Sequence, residues 1–362
     1  MNAPQTALSR ENIKQTYIRK KEWLYLLLAL CLAATFMAIV AAVGIGSAGL
    51  SPLDVGNSIL SGLFPHAHPV RDALKFNIVW ELRLPRIILA VLAGAGLSIA
   101  GVVLQALTRN PLVSPFTIGL SNAAALGASV SIVAGAAILG SQQLAITVGA
   151  FCGAAACGAL VYAISAQKRM SAVAIVLTGT ALTYLFSALT NTMQFFSNTD
   201  ALSAIVNWTF GNLSGTTYSQ AFILGILLAV VFAVFLRQAW ALNALSSGGD
   251  EIARGLGINA SGVRTLLGVL SVILTACIVS FTGVIGFVGI IGPHIARLLI
   301  GADHKFLLPF SAIFGGILTL AADTLGRTLF APLTIPVGIV VAYIGVPIFL
   351  HLILSKKEMY FQ

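Results

Sequence analysis

Three arginines stand where charge is costly and therefore informative. Arg83 and Arg86 flank Pro85 three residues apart, and Arg327 lies near the end of a later apolar run, four residues after Asp323. A guanidinium is always charged and presents a rigid fork of donors, so such residues suit recognition of carboxylates. The plainer readings are snorkelling into lipid head groups and, for Arg327, a local pair with Asp323 on one helical face. A second candidate is the polar stretch Ser246, Ser247, Gly248, Gly249, Asp250, Glu251, Ile252, Ala253, Arg254, Gly255, Leu256 and Gly257. It predicts a short helix from Asp250 to Gly255, acidic at its start and stopped by glycine. As a bare pattern it is a turn between two apolar runs. Asn191, Thr192, Gln194 and Asn207 are amides and a hydroxyl able to line a polar pathway, although sequence does not set helix rotation.

Catalytic chemistry finds little support. No glycine is followed by lysine, which rules out a G-x-x-x-x-G-K-[ST] phosphate loop. There is no G-x-S-x-G elbow and no H-E-x-x-H helix, and the 11 acidic residues are dispersed. Cys31, Cys152, Cys157 and Cys277 fall inside apolar runs without a C-x-x-C pair, so they read as small packing residues and not as a metal site or disulfide framework. His294 beside Pro293 reads as a packed or hydrogen-bonded residue, and two histidines in one loop, His66 and His68, are weak evidence for a ligand site.

The elements that must position these residues are membrane spans. Hydrophobic residues make up 58% of the chain against 9% charged, far from the ~25% charge of soluble domains. The expected architecture is all-α, with about ten transmembrane helices each needing ~20 apolar residues. Apolar runs fall at 24–46, 85–107, 116–138, 143–165, 172–194, 218–238, 261–282, 284–300, 306–328 and 336–355, the eighth being short for a full crossing. Residues 1–22 are polar, lack a signal-peptide pattern and read as a retained cytoplasmic tail; residues 23–357 form the membrane domain, and 358–362 resemble a degraded protease-site tag. An even number of spans with the N-terminus inside places 15 Lys and Arg on the inner side and 5, namely Arg71, Lys75, Arg83, Arg86 and Arg327, on the outer. This agrees with the positive-inside rule, so both termini are expected in the cytoplasm. The net charge of +9 is explained by this distribution, since the basic residues are not interleaved with aromatics as in a nucleic-acid binder. Gly149-x-x-x-Gly153 and the series Gly283, Gly286, Gly289 and Gly292 predict close helix packing, with a bent, mobile helix as the second reading of the series.

The stretch Trp80 to Leu112 organises the chain: a basic hinge, an apolar helix starting at Pro85, and a second hinge at Arg109-Asn110-Pro111-Leu112. Its W-x-L-R-L-P-R, G-A-x-L-x-x-A-G-x-x-x-Q and R-N-P-L segments resemble those of FecCD-type permeases, the membrane subunits of type II ABC importers for ferric siderophores, haem and cobalamin. The resemblance runs from about Trp23 to Lys357. Gly248-Gly249-Asp250-Glu251 through Gly257 is similar to the family's coupling loop, Asn207-Trp208 through Ser214 to a short outer helix beside the pathway, and Gly289 through Arg297 to its G-x-x-x-P-H-x-x-R pattern.

The resemblance implies a permease that itself hydrolyses nothing, pairs with a second copy or a similar chain, couples through Ser246–Gly257 to two ATPase subunits that bind ATP and Mg, and receives cargo from an external binding protein docked on Arg83, Arg86 and Arg327. It implies no cofactor in this chain and no metal site. An iron chelate is the favoured cargo, then haem or cobalamin, with an oxyanion such as molybdate behind them. Thr334 departs from the pattern, where many relatives carry an acid before I/L-P-x-G, leaving the role of that acid open. The alternative reading is an ion-coupled secondary transporter, for which Asp323 is the clear acidic candidate in a span.

Overall fold

The structure, a computed structural model, describes residues 10–46, 49–135, 137–138, 140–168 and 170–355. The tag-like 358–362, the first nine residues, Arg169, Lys356 and Lys357 lie outside the described residues. Among those described there is no β-strand, only an isolated bridge between Ile138 and Ser141.

In chain order the helices are α1 (Arg10–Gly44), α2 (Pro52–Leu63), α3 (Ala73–Asn77), α4 (Leu84–Thr108), α5 (Leu120–Val133), α6 (Gln142–Ala166), α7 (Ala172–Phe196), α8 (Thr199–Thr209), α9 (Tyr218–Arg237), α10 (Ala239–Gly255), α11 (Ala260–Thr282), α12 (Val288–Ile300), α13 (His304–Thr328) and α14 (Val337–Ser355). Among the described residues seven helices are long and apolar enough to cross a membrane, and three shorter apolar ones occupy Leu120–Val133, Val288–Ile300 and Val337–Leu350. Each expected run therefore has a helical counterpart, but the third and eighth are cut short. Gly119 adopts φ 88 before α5, so the 116–138 run becomes helical only at Leu120. Gly283 (φ 65) ends α11 and Phe287 (φ 61) precedes α12, leaving residues 283–287 unwound. Such irregular backbone at membrane depth is tolerated when buried in protein. The glycine series is accordingly not one bent helix: Gly283 and Gly286 lie in the unwound segment, while Gly289 and Gly292 lie in α12.

Pro85 stands in the first turn of α4, as the sequence suggested, but the span does not begin there. α3, a π-helical turn over Ile78–Arg83 and α4 run on as one span, Ala73–Thr108. Proline cannot donate to the carbonyl four residues back, and the widened turn before it absorbs the mismatch. α1, described from Arg10, carries the basic segment into the first apolar run without a break.

α4 is the centre of the bundle, packing against α9, α11, α12 and α13, with α10 at its C-terminal end. α5, α6 and α7 form a second group joined to it through α11. The contacts are backbone to backbone. A Cβ at Gly94 would overlap the Gly315 carbonyl, one at Gly101 the Gly289 carbonyl, and ones at Gly149 and Gly153 the Gly127 and Ala123 carbonyls on α5. Lipid gives no hydrophobic drive between helices, so close approach of small residues supplies the packing. Gly101→Val should therefore separate α4 from α12 at a cost on the order of 1–3 kcal/mol, seen as reduced folded yield and a lower unfolding midpoint in detergent. An unchanged midpoint would mean that the bundle relaxes around the added methyls.

Candidate functional site: two charged ends of one helix

The N-terminal end of α4 carries a buried charge network. Asp323 on α13, 1% exposed, accepts from Arg86 Nε at 2.7 Å on one oxygen and from Arg327 Nε at 3.0 Å on the other. Arg86 Nη1 continues to Ser214 Oγ at 3.0 Å. Arg83, 7% exposed, donates to the carbonyls of Val43 at 2.6 Å and Gly44 at 3.2 Å. Arg327 reaches the carbonyls of Ile45 at 3.2 Å and Ala42 at 3.4 Å. The last carbonyls of α1 have no intrahelical partner, and the negative end of the helix dipole favours a cation, so both arginines act as caps of α1. The expected Asp323–Arg327 pair is present. All three guanidiniums also have partners within the chain.

Ser214 belongs to the loop beyond α8. There Asn212 N donates to Thr282 O at 2.8 Å, and the close packing of Gly211 on Val284 and of Gly338 on Phe210 joins α8, the unwound 283–287 segment and α14. Beside this junction lies a recess of about 280 Å³ lined by Asn122, Ser187, Thr190, Asn191, Gln194 and Thr209 together with Phe116 and Val284. Two of the four sequence candidates, Asn191 and Gln194, are in it. Thr192 is exposed and bonds its own helix at Ala188 O, and Asn207 is exposed with only Ser203 as partner, so neither lines this recess. Sequence reading missed Asn122, whose Nδ2 donates to Thr183 O at 3.2 Å. An amide inside an apolar run was the available signal.

At the C-terminal end of α4, Arg264 is buried and donates through Nε to Leu107 O at 3.1 Å, while its Nη2 lies 2.6 Å and its Nη1 2.8 Å from the two Asp250 oxygens. Asp250 opens the second part of α10, after a break at Gly249 (φ 68, ψ −160). The expected short helix over 250–255 thus exists, although it is continuous with α10 through the kink. Gly249 is required there, since its φ is positive and a Cβ would press on the Arg109 guanidinium. Ile252 (56% exposed), Leu256 (52%), Glu251 and Arg254 face outward, and Gly248 to Glu251 line a cavity of about 350 Å³ with Arg109, Ser171 and Arg264. The Arg264 hydrogen bond holds the Asp250 carboxyl below its usual range. The pair therefore contributes stability above the unfolded carboxylate pKa and loses it as pH falls through the folded value.

Between the two ends, Gln105 joins α4 to α12. Pro293 inside α12 has no N–H for the Gly289 carbonyl, and Gln105 Nε2 donates to that oxygen at 3.3 Å. Gln105 Oε1 accepts from Arg297 Nη2 at 2.9 Å. His294 is buried on the same helix. No group of three His, Cys, Asp or Glu able to hold a metal ion occurs among the described residues. Because buried Asp323 balances two largely covered cations, Asp323→Asn should cost on the order of 3–5 kcal/mol, measured as a drop in unfolding midpoint. A midpoint equal to wild type would show that solvent already screens the two guanidiniums.

Residues 27–355 match the FecCD transport family. An iron(III)-citrate import system permease of Bacillus subtilis is 38% identical over 297 residues, 78% of this chain and 85% of that protein. The hemin transport system permease of Yersinia pestis is 37% identical over 290 residues, 79% and 86% of the two chains. A solved structure of a metal-chelate type ABC transporter in an inward-facing conformation superposes with a TM-score of 0.78 at 32% identity, covering 91% of this chain and 99% of that one. With the match spanning its helical bundle from α1 to α14, the chain belongs to the FecCD transport family and is a multi-pass ABC permease of the cytoplasmic membrane.

Proposed function

We propose that the chain is the membrane subunit of an ATP-driven importer of an iron chelate, with a ferric hydroxycarboxylate or siderophore first and haem or cobalamin next. The names of the relatives, iron(III)-citrate and hemin permeases, support this cargo class. The observation that carries the reading is one 25-residue helix, α4, spanning roughly 36 Å at ~1.5 Å per residue, with the arginine network at one end and the Asp250–Arg264 anchor at the other.

The Asp250 end faces the cytoplasm in this reading. Ile252 and Leu256 present an apolar knob ringed by Glu251 and Arg254, held on a glycine hinge and tied to α4 and α11 by Arg264. A separate ATPase that binds ATP and Mg grips it, and displacement of the knob tilts α4 and α11 together. The arginine end receives the external binding protein. Since Asp323 and the α1 carbonyls fill Arg83, Arg86 and Arg327, acidic residues of that protein engage them by exchange, while Arg83 mainly positions its neighbours. The recess at Asn191 and Gln194 adjoins α7, where Tyr184 and Phe195 remain exposed. A closed pathway needs a second wall, which a second copy or a similar chain provides. No cofactor resides in this subunit. An ion-coupled mechanism would require a titrating acid free to bind the ion, whereas Asp323 is paired twice.

In liposomes holding this chain, its ATPase and the binding protein, uptake of an iron chelate should require ATP and the binding protein at fixed pH and sodium. Uptake driven by an imposed proton or sodium gradient without ATP would overturn the reading. Ile252→Asp with Leu256→Asp should reduce ATPase copurification at least about ten-fold, given ~1.5–3 kcal/mol for each buried aliphatic side chain. Wild-type copurification would remove the coupling role from this segment.

A further inference from the structure

On the end of the bundle that carries Asp250, a cleft of about 670 Å³ opens between α1, α9, α10 and α13. Its floor is apolar, formed by Leu28, Phe232, Leu236, Phe306 and Pro309, and its rim holds Arg237, Lys305, Trp240 and Tyr25. The rim lies at the edge of the apolar layer, because Arg237 is the last residue of the span Tyr218–Arg237 and Lys305 the second of the span His304–Thr328. Arg237 and Lys305 are exposed, and neither is in an ion pair among the described residues. Among the described residues the rim has one acid, Asp303, whose Oδ1 accepts from Asn243 Nδ2 at 2.9 Å and from the Lys305 backbone N–H at 3.1 Å. Trp240 is 59% and Tyr25 50% exposed, where amphipathic rings settle at head-group level.

We propose that this cleft is a binding site for an anionic phospholipid. The phosphate sits between Arg237 and Lys305, Trp240 and Tyr25 flank the glycerol level, and an acyl chain runs along Phe232, Leu236 and Leu28. Charge complementarity and the apolar floor together select a lipid: free phosphate would leave the floor wet, and a zwitterionic head group would bring its own cation against the two on the rim. A lipid held here wedges between α1 and the α9–α10 corner, next to the helix that carries the Ile252–Leu256 knob.

The test is native mass spectrometry of the full chain released from detergent with phosphatidylglycerol or phosphatidylcholine added at equal concentration. Phosphatidylglycerol should be retained preferentially, and Arg237→Gln with Lys305→Gln should weaken that retention roughly ten-fold or more. Arg71→Gln with Lys168→Gln removes two exposed cations outside the cleft and should leave retention unchanged. Inorganic phosphate should not compete. As a measurement independent of the charge variants, brominated phosphatidylglycerol should quench a tryptophan signal that is lost in Trp240→Phe. Equal retention of the two lipids, equal loss in both double variants, or quenching indifferent to Trp240 would overturn the proposal. So would reduced ATPase copurification by Arg237→Gln with Lys305→Gln at wild-type lipid retention, which would assign the cleft to the ATPase.

Discussion

Everything in this bundle depends on how closely α4 approaches its neighbours. At Gly94 and Gly101 its backbone touches the carbonyls of Gly315 and Gly289, with no room for a methyl group. In lipid, where burying an apolar side chain against another gains nothing over burying it in acyl chains, such contact is what holds helices together. The same approach brings Gln105 within reach of the carbonyl that Pro293 leaves unpaired, and from there to Arg297. One packing constraint thus determines both the fit of α12 and the environment of a buried cation.

One polar device is used at both ends of α4. An arginine satisfies the orphan carbonyls at a helix C-terminus and spends its remaining donors on a carboxylate or a neighbour. Arg264 does this for Leu107 at the end of α4 with Asp250 as its acid. Arg327 does it for α1 with Asp323 as its acid, and Arg83 for α1 through Val43 and Gly44. The geometry lowers the desolvation cost of each charge by pairing it with dipoles already fixed in place. It also makes each end sensitive to displacement, since moving one helix strips partners from an arginine on another.

The unwound 283–287 segment has a matching logic. It is bounded by Gly283 and Phe287, packs on the loop after α8 and on Gly338, and so forms a junction near the polar recess without exposing bare backbone to lipid. A continuous helix through 284–300 would have removed this junction.

The sequence by itself determined the class and the order of the chain. The apolar runs and the short helix after Gly249 are legible because hydrophobic length, glycine and capping chemistry are local properties. The Asp323–Arg327 pair was legible from a four-residue spacing, which is local too. Only the tertiary structure decided that Arg86 shares the same carboxylate, that Arg83 and Arg327 cap α1, and that Asn122 joins Asn191 and Gln194 while Thr192 and Asn207 turn away. It also decided that Pro85 produces a π turn inside a continuous helix. These outcomes depend on helix rotation and on partners up to 285 residues away in the chain. In a segment that is apolar on every face, the sequence carries almost no information on rotation, because lipid and protein make similar demands on side chains.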